Sequence, residues 1–478
     1  MTNKGKINIS HSNCSAVAAK QDASTIPAEY GVFRSRDLII PLETKPQMEL
    51  DSAKEPNVPL PDHQVSHPTT YVETLIHIFK GNIGCGLLAM GDAFKNGGIV
   101  FAPIMMIVLG VISIHAQHLL LNCSDEIYRM TKRESPPSFA ETVGLVFETG
   151  PIRLRPLANV MKALVNMFLC ITQLGFCCVY IVFIANSIKV ICDHYGIHID
   201  LSIHMVFVVL PVLLSCMVRE LKNLMPFSTL ASILMVSGMG VVVYEATQDL
   251  PPIQSRDYIA PWSQVPLFLG TAIYAFEGIG LVLPLKSEMK KPEQFQKPLG
   301  VLHVGMAIVA GTFIFIGFLG YLKWGDAVEG SVTLNLNPTS LLSEIVRGAI
   351  AIGILFTYPL QLYVPVGITW PTLRQRFAKT SPVAKELAYR TLLVMLTFVL
   401  AESIPELGLF ISLVGAVSST ALALIFPPVI ELVSNSQKSG GITCFMIMKD
   451  CIIMLLGLFI FVTGTYISVS SIINAFRK

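Results

Sequence analysis

The sequence predicts an all-α polytopic membrane protein, and three observations support that fold class. Of the 478 residues, 53% are hydrophobic and 14% are charged, whereas a soluble domain typically carries about 25% charged residues. Apolar stretches of about 20 residues, the length that crosses a bilayer as a helix, recur from residue 70 onward. Two of these stretches are interrupted by glycine-containing segments, 81–86 and 276–280, although each glycine weakens a helix by roughly 1 kcal/mol relative to alanine.

The first 69 residues form a different region. They are polar, carry prolines from Pro27 to Pro61 and lack a sustained apolar period, so we expect a disordered cytoplasmic tail. No apolar signal-peptide core precedes the first span, which is therefore expected to direct insertion itself. Tyr30 begins a tyrosine-plus-bulky-residue pattern, which makes trafficking adaptors a candidate partner.

Eleven spans are predicted within one transmembrane domain, 70–473. They are 70–93, 98–121, 158–191, 203–218, 226–247, 264–286, 299–322, 341–368, 387–404, 407–432 and 448–473. With the N-terminus inside, the inside loops carry 17 lysines and arginines and the outside loops three, or five with Arg477 and Lys478. This imbalance predicts a cytoplasmic N-terminus and an external or lumenal C-terminus.

The two interrupted stretches are spans one and six. In hydrocarbon, backbone groups freed from helical bonds need other partners, so broken helices line enclosed cavities, and in transporters these are often the substrate site. Two repeats of five spans, about 70–247 and 264–432, would place the breaks at equivalent positions. An odd number of spans inverts the second repeat relative to the first, and helix 448–473 is then an addition.

Several motifs carry a family resemblance. The run from Thr74 to Gly84, followed by Lys95-Asn96-Gly97-Gly98, resembles the opening signature of the proton-assisted amino acid transporters, within the amino acid/auxin permease family. The run 275–280, and Gly325-Asp326 followed by 333–336, resemble later signatures of that family. The resemblance covers roughly residues 70–470. It implies a leucine-transporter-like 5+5 inverted-repeat fold, and symport of small neutral amino acids driven by protons.

Substrate-binding candidates lie at or near the breaks. Half-helix N-termini offer N–H groups to a substrate carboxylate, while half-helix C-termini and unwound carbonyls suit its ammonium group. The candidates are Gly81, Asn82, Gly84, Gly86, Tyr180, Tyr274, Phe276 and Gly278. Glycines admit close approach of the backbone to a ligand, the asparagine would add a hydrogen bond, and the aromatic residues would shape the pocket. The alternative for the glycines and aromatics is helix–helix packing.

Two residues are candidates for proton coupling. Glu277 lies within span six, and an acid inside the membrane is a functional candidate by default. Its alternative is a structural role, bridging the broken helix to a neighbour. His77 precedes the first break by about one turn, and histidine is the side chain that titrates nearest physiological pH. Its alternative is a neutral residue that fixes packing.

Other functions stay open or are excluded. A sodium-coupled carrier of the same fold would use carbonyls and hydroxyls, with Thr357 as a candidate; an amino acid sensor with little net flux is a further alternative. No nucleotide loop, metal-ligand spacing or nucleophile–base pair is evident, so we expect no enzyme, metal site or cofactor besides protons, and no nucleic-acid partner. His115 and His118 are expected to be interfacial. Plasma membrane and lysosomal membrane are both compatible with the topology.

Overall fold

The computed structural model describes residues 68–133, 135–218, 221–376, 382–404, 406–436, 438 and 441–477. The predicted tail, with Tyr30, lies outside the described residues except for its last two positions. Within the described part the chain is helical, with one isolated β-bridge and no strand.

The α-helices follow one another along the chain with short connections. They are α1 (Tyr71–Asn82), α2 (Cys85–Leu88), α3 (Met90–Gly97), α4 (Phe101–Thr131), α5 (Phe139–Thr149), α6 (Ala158–His194), α7 (Leu201–Cys216), α8 (Leu221–Ala246), α9 (Val265–Ala275), α10 (Ile279–Ser287), α11 (Glu293–Gln296), α12 (Val301–Trp324), α13 (Leu341–Arg376), α14 (Pro382–Ser403), α15 (Leu407–Val414), α16 (Phe426–Asn435) and α17 (Cys444–Phe476).

The helical membrane architecture is confirmed. Eight helical segments of the described chain are long and apolar enough to cross a bilayer: Phe101–Thr131, Arg155–His194, Thr229–Ala246, Val265–Ser287, Val301–Ala327, Leu341–Gln375, Leu407–Asn435 and Cys444–Phe476. The other three predicted spans correspond to α1–α3, α7 and α14, which are helices but are shorter, interrupted or less apolar. The total of eleven spans therefore stays a prediction.

Both predicted breaks are present. A capping box starts α1, in which the Thr70 hydroxyl accepts from the Glu73 N–H and the Glu73 carboxylate accepts from the Thr70 N–H. The helix ends at Asn82 because Ile83 is extended, with φ −84° and ψ 109°, and helical structure resumes at Cys85. The second break separates α9 from α10 at residues 276–278.

One predicted span contains an irregularity that the sequence analysis did not anticipate. Between α15 and α16 the chain forms two π-helical segments, Gly415–Ser419 and Ala421–Ile425. Pro427 and Pro428 follow them, and prolines remove N–H donors that a regular helix would use. Short π-helical segments often occur at functional sites, and this one passes beside the second break.

Backbone hydrogen bonds hold the first broken helix near both of its ends. At the end that carries the loops rich in lysine and arginine, called the basic end here, the Thr69 N–H donates to the Glu288 carbonyl at 2.8 Å. The Lys290 N–H donates back to the Thr69 carbonyl at 2.9 Å. Toward the opposite end, the Leu88 carbonyl accepts from the Val332 N–H at 2.8 Å. These bonds hold both halves of the helix against the bundle and enclose the break.

Candidate binding site at the two helix breaks

The two breaks lie directly against each other. A Cβ atom added to Gly278 would lie 3.1 Å from the Asn82 Oδ1 atom, and one added to Gly86 would lie 2.9 Å from the Ala275 Cα atom. Such contacts are tighter than ordinary packing allows, so the absence of a side chain at both glycines lets the breaks approach. The structure thus brings together Asn82, Gly86 and Gly278 from the predicted set.

Asn82 presents an unsatisfied acceptor at this contact. Its side chain is 9% exposed, and its Nδ2 group donates to the Ile78 carbonyl at 2.9 Å. Its Oδ1 atom is buried and has no hydrogen-bond partner among the described residues. A buried acceptor without a donor costs about 1–3 kcal/mol, so this oxygen is placed to receive a donor from a bound molecule.

Glu277 adds a second unsatisfied group. The residue is 9% exposed, and its Oε2 atom has no hydrogen-bond partner in the described part of the chain. Ser419, in the first π-helical segment, lies beside the carboxyl group, and its own hydroxyl is also buried without a partner. The sequence analysis missed Ser419, although the run Ser418-Ser419-Thr420 inside an apolar span was a signal for it.

Tyr180 closes one side of the first break. It is buried on α6, and its hydroxyl accepts a hydrogen bond from the Gln361 side-chain amide on α13 at 3.2 Å. A Cβ atom on Gly84 would lie 3.7 Å from the same hydroxyl oxygen. Gln361 was also missed by the sequence analysis, because a single polar residue in an apolar helix gives no periodic signal.

The two aromatic candidates of span six point in different directions. The Tyr274 ring lies 3.6 Å from the position of a Gly86 Cβ and packs edge-on against Phe176, with ring centroids 4.7 Å apart. The Phe276 ring instead packs against Phe313 of α12, at 5.4 Å between centroids, and toward Gly110 of α4. Tyr274 therefore borders the first break, whereas Phe276 joins the second break to the neighbouring helices.

The remaining predicted residues lie on α1, before the break. Gly81 is still helical and exposed, and a Cβ atom there would lie 2.8 Å from the Leu281 Cδ1 atom, so it allows helix packing. His77 is half-buried and makes no hydrogen bond that joins it to the other described site residues; its charged neighbours are Lys80 and Glu73. Thr357, the sodium-site candidate, donates to the Gly353 carbonyl of its own helix at 2.9 Å.

Two apposed helix breaks that enclose unsatisfied polar atoms define a class of protein, the membrane transporters with discontinuous helices. Comparison with known proteins gives the family. Residues 67–470 match the family described as transmembrane amino acid transporter protein, and the chain belongs to this family. The protein is thus an amino acid transporter and not an enzyme.

Two curated relatives span most of the chain. The "proton-coupled amino acid transporter-like protein pathetic" of Drosophila melanogaster is 34% identical over 413 residues, which cover 86% of this chain and 87% of that protein. The "probable amino acid transporter skat-1" of Caenorhabditis elegans is 27% identical over 424 residues, covering 86% of this chain and 91% of that protein.

Two solved structures also resemble this chain at low sequence identity. MhsT in complex with L-phenylalanine has a TM-score of 0.47 and 13% identity, and the match covers 82% of this chain and 98% of that one. The inward-facing conformation of Mhp1 has a TM-score of 0.47 and 14% identity, with 86% and 92% covered.

Proposed function

We propose that this transporter is a proton-coupled symporter of small neutral amino acids that works by alternating access. The observation that carries the proposal is the pair of buried polar atoms without partners at the breaks, Asn82 Oδ1 and Glu277 Oε2. Leaving such atoms unpaired in hydrocarbon is costly. A bound amino acid supplies the missing partners, because its ammonium group donates to the asparagine and glutamate oxygens.

The size of the substrate follows from what surrounds these atoms. Tyr180 and Tyr274 border the first break, and Gly86 packs against Ala275 with no room for one further carbon atom. These close contacts disfavour a substrate with a large side chain, and the buried acid at the breaks, Glu277, is assigned below to the coupled proton and not to a charged side chain. Small neutral amino acids fit this environment best.

Glu277 is the group we assign to the coupled proton. A carboxyl group that is enclosed by protein and has few hydrogen-bond donors is more stable when it is neutral. Protonation would therefore accompany occlusion, and release would follow when the site opens to the other side. His77, half-buried on α1, is the second candidate, and its position toward the basic end of that helix suits a step after the substrate site rather than within it.

The excess of lysine and arginine supports an orientation with the basic end in the cytoplasm. We accordingly place the N-terminus in the cytoplasm and the C-terminus outside or in a lumen, in the plasma membrane or a lysosomal membrane. The sodium-coupled carrier stays a second candidate, and the amino acid sensor a third. Tail-bound trafficking adaptors are an additional partner that the Tyr30 motif supports.

The deciding experiment is uptake of labelled alanine, glycine and proline into proteoliposomes that contain the purified protein. An inward proton gradient and an inward sodium gradient are imposed separately, with E277Q and H77A alongside the unmodified protein. E288Q is the matched control, because Glu288 is a half-buried acid eleven residues further along the same chain segment, beyond the end of α10.

Proton coupling requires that uptake follow the proton gradient and that E277Q lose this dependence while E288Q keeps it. Uptake that follows only sodium would replace the proposal by the sodium carrier. Specific binding of a neutral amino acid without uptake under either gradient would favour the sensor.

A further inference from the structure

A cavity of about 610 Å³ opens at the basic end of the bundle, between α4, α12 and α16. Its wall includes His115 and His118 of α4, His303 of α12 and Glu431 of α16. The sequence analysis expected an ordinary interfacial role for the two α4 histidines. The structure instead places them in a group of titratable side chains that shares no residue with the two helix breaks.

Two of these histidines form a direct pair. The Nε2 atoms of His118 and His303 are 3.2 Å apart, and the ring centroids are 4.7 Å apart. When both rings are neutral, one Nε2 atom carries the hydrogen and the other accepts it. The pair can hold one additional proton at most without placing two positive charges in contact, and the His303 Nδ1 atom is buried without a hydrogen-bond partner among the described residues.

The other half of the group surrounds a lysine. The Lys449 ammonium lies 2.6 Å from Glu431 Oε2, 2.9 Å from His115 Nε2 and 3.1 Å from Asp450 Oδ1. Asp450 is 0% exposed, and neither of its oxygens accepts a hydrogen bond within the described structure. Lys449 and Asp450 lie in the second turn of α17, the helix outside the two predicted repeats.

The formal charges of this group do not balance. One lysine faces two carboxylates, so the group carries one net negative charge while its histidines are neutral. Other charges at this end pair with one another, Lys286 with Asp125 and Lys438 with Glu126, so each of these pairs adds no net charge. A fully buried carboxylate that shares a single lysine with a second carboxylate is costly to keep ionised.

We propose that Asp450, with His115, His118, His303, Glu431 and Lys449 around it, forms a second proton-binding site that exchanges protons with the solution at the basic end. One proton neutralises the group, and the cavity histidines connect the buried carboxyl to that solution. Because the members belong to α4, α12, α16 and α17, the bound proton stabilises the junction between the added helix and the rest of the bundle. Solution pH at the basic end thereby sets how firmly α17 is held.

The position of Lys449 argues against a metal ion as the occupant. His115, Glu431 and Asp450 place ligand atoms within 4.8 Å of one another, as a metal site would. The lysine ammonium, however, already lies within 3.1 Å of all three side chains. A metal ion would have to displace this cation, whereas a proton fits the group as it stands.

The test compares the thermal unfolding midpoint of the purified full chain in detergent, at one heating rate, from about pH 4, near the pKa of an unfolded aspartate, to about pH 8. D450N mimics the protonated carboxyl group at every pH. The folded unmodified protein holds a proton that the unfolded chain has already lost, so its stability falls relative to D450N as the pH rises. We expect equal midpoints at the acidic limit and a difference of about 2 °C or more at the alkaline limit.

Two further variants keep the test decisive. K449Q removes the cation beside the carboxylates, so the folded protein holds its proton to a higher pH, and the fall in its midpoint should continue to a higher pH than in the unmodified protein. E126Q is the matched control, because Glu126 is an acid at the same end that pairs with the exposed Lys438, and its profile should follow the unmodified protein. A constant offset between D450N and the unmodified protein at every pH, or no response to K449Q, would overturn the proposal.

A second measurement tests how protonation of the Asp450 group affects transport. It follows the exchange of labelled alanine across the proteoliposome membrane, with equal pH on both sides. The exchange rate of the unmodified protein should match that of D450N at low pH and depart from it as the pH rises. The unfolding midpoint is measured without any transport. The proton site can therefore be tested even if the proposed symport is wrong. A midpoint that rises on adding zinc ions to the unmodified protein, but not to D450N, would instead identify a metal site.

Discussion

Gly278 of the second break faces Asn82 of the first so closely that one added carbon would lie 3.1 Å from the asparagine oxygen and 3.3 Å from its nitrogen. The contact joins the two half-helices at the centre of the bundle. It also keeps the unsatisfied Asn82 Oδ1 atom beside the unwound backbone. The geometry of the candidate substrate site therefore depends on glycine at this position.

The G278A variant should lose most amino acid uptake, by about tenfold or more, because the new methyl group displaces the Asn82 side chain. G280A is the matched control: a Cβ atom at Gly280 would meet only the Leu169 side chain, at an ordinary 3.6 Å. Initial uptake rates are normalised to the amount of protein in the membrane. Equal losses of uptake in G278A and G280A would show that any added methyl group in this segment lowers uptake, and that the contact with Asn82 is not the cause.

Removal of the Tyr180 hydroxyl should weaken substrate binding. Y180F leaves the half-buried Gln361 amide without its partner beside Gly84, and a fully buried unpaired donor would cost about 1–3 kcal/mol. We expect KM for uptake to rise about tenfold, which corresponds to about 1.4 kcal/mol. Y466F, at an exposed tyrosine of α17, is the control. An unchanged KM in Y180F would remove Tyr180 from the binding site.

Two glycines of α12 should respond to alanine in opposite directions. A Cβ atom on Gly317 would overlap the Phe94 ring and lie 3.0 Å from the Met90 carbonyl, whereas nothing lies within 4 Å of one on Gly311. Overpacking costs about 1–3 kcal/mol, and replacing an unstrained glycine stabilises a helix by about 0.4–1 kcal/mol. The apparent unfolding midpoint in detergent should therefore fall for G317A and rise slightly for G311A. A fall in both would contradict the packing.

The two breaks could be predicted from sequence because glycine clusters inside apolar stretches are local signals. The partners that complete the site are not local. Ser419 lies beside Glu277 because the π-helical part of the predicted span 407–432 passes beside the second break. The hydrogen bond between Gln361 and Tyr180 joins two residues that are 181 positions apart in the sequence. No periodicity in either segment reports such a pairing.

The charged group at the basic end is a second case in which contacts between distant residues could not be predicted from sequence. His115 and His118 are three residues apart, which alone indicates little, and the residues that give them a chemical setting come from three other helices. Composition correctly predicted a helical membrane protein. It could not predict that an aspartate in the second turn of α17 is fully buried beside a half-buried lysine, because the burial of both residues depends on contacts with other helices.

Glu288 should make stability depend on pH in the acidic range. Its carboxyl group lies beyond α10 and is half-buried, and desolvation raises the pKa of this group above its usual value of 4.5. The folded protein thus holds the proton more tightly than the unfolded chain, so stability falls as pH rises from the unfolded pKa to the folded one. E288Q should raise the unfolding midpoint near neutral pH and leave it unchanged near about pH 4. A midpoint difference that is the same at both pH values would exclude titration of Glu288 as the cause.

The backbone pairing between Thr69 and the Glu288–Lys290 segment should control access to the breaks from the basic end. T69P removes the N–H group that donates to the Glu288 carbonyl at 2.8 Å, whereas T69A keeps that donor and loses only the hydroxyl contacts. Cys85, 2% exposed and next to the first break, reports access directly. We expect a maleimide reagent to label Cys85 several-fold faster in T69P, as followed by mass spectrometry of the corresponding peptide, and T69A to stay near the unmodified rate. If T69P labels no faster than T69A, the start of α1 does not gate the site, and closure must depend on side-chain packing such as that of Gly81 against Leu281.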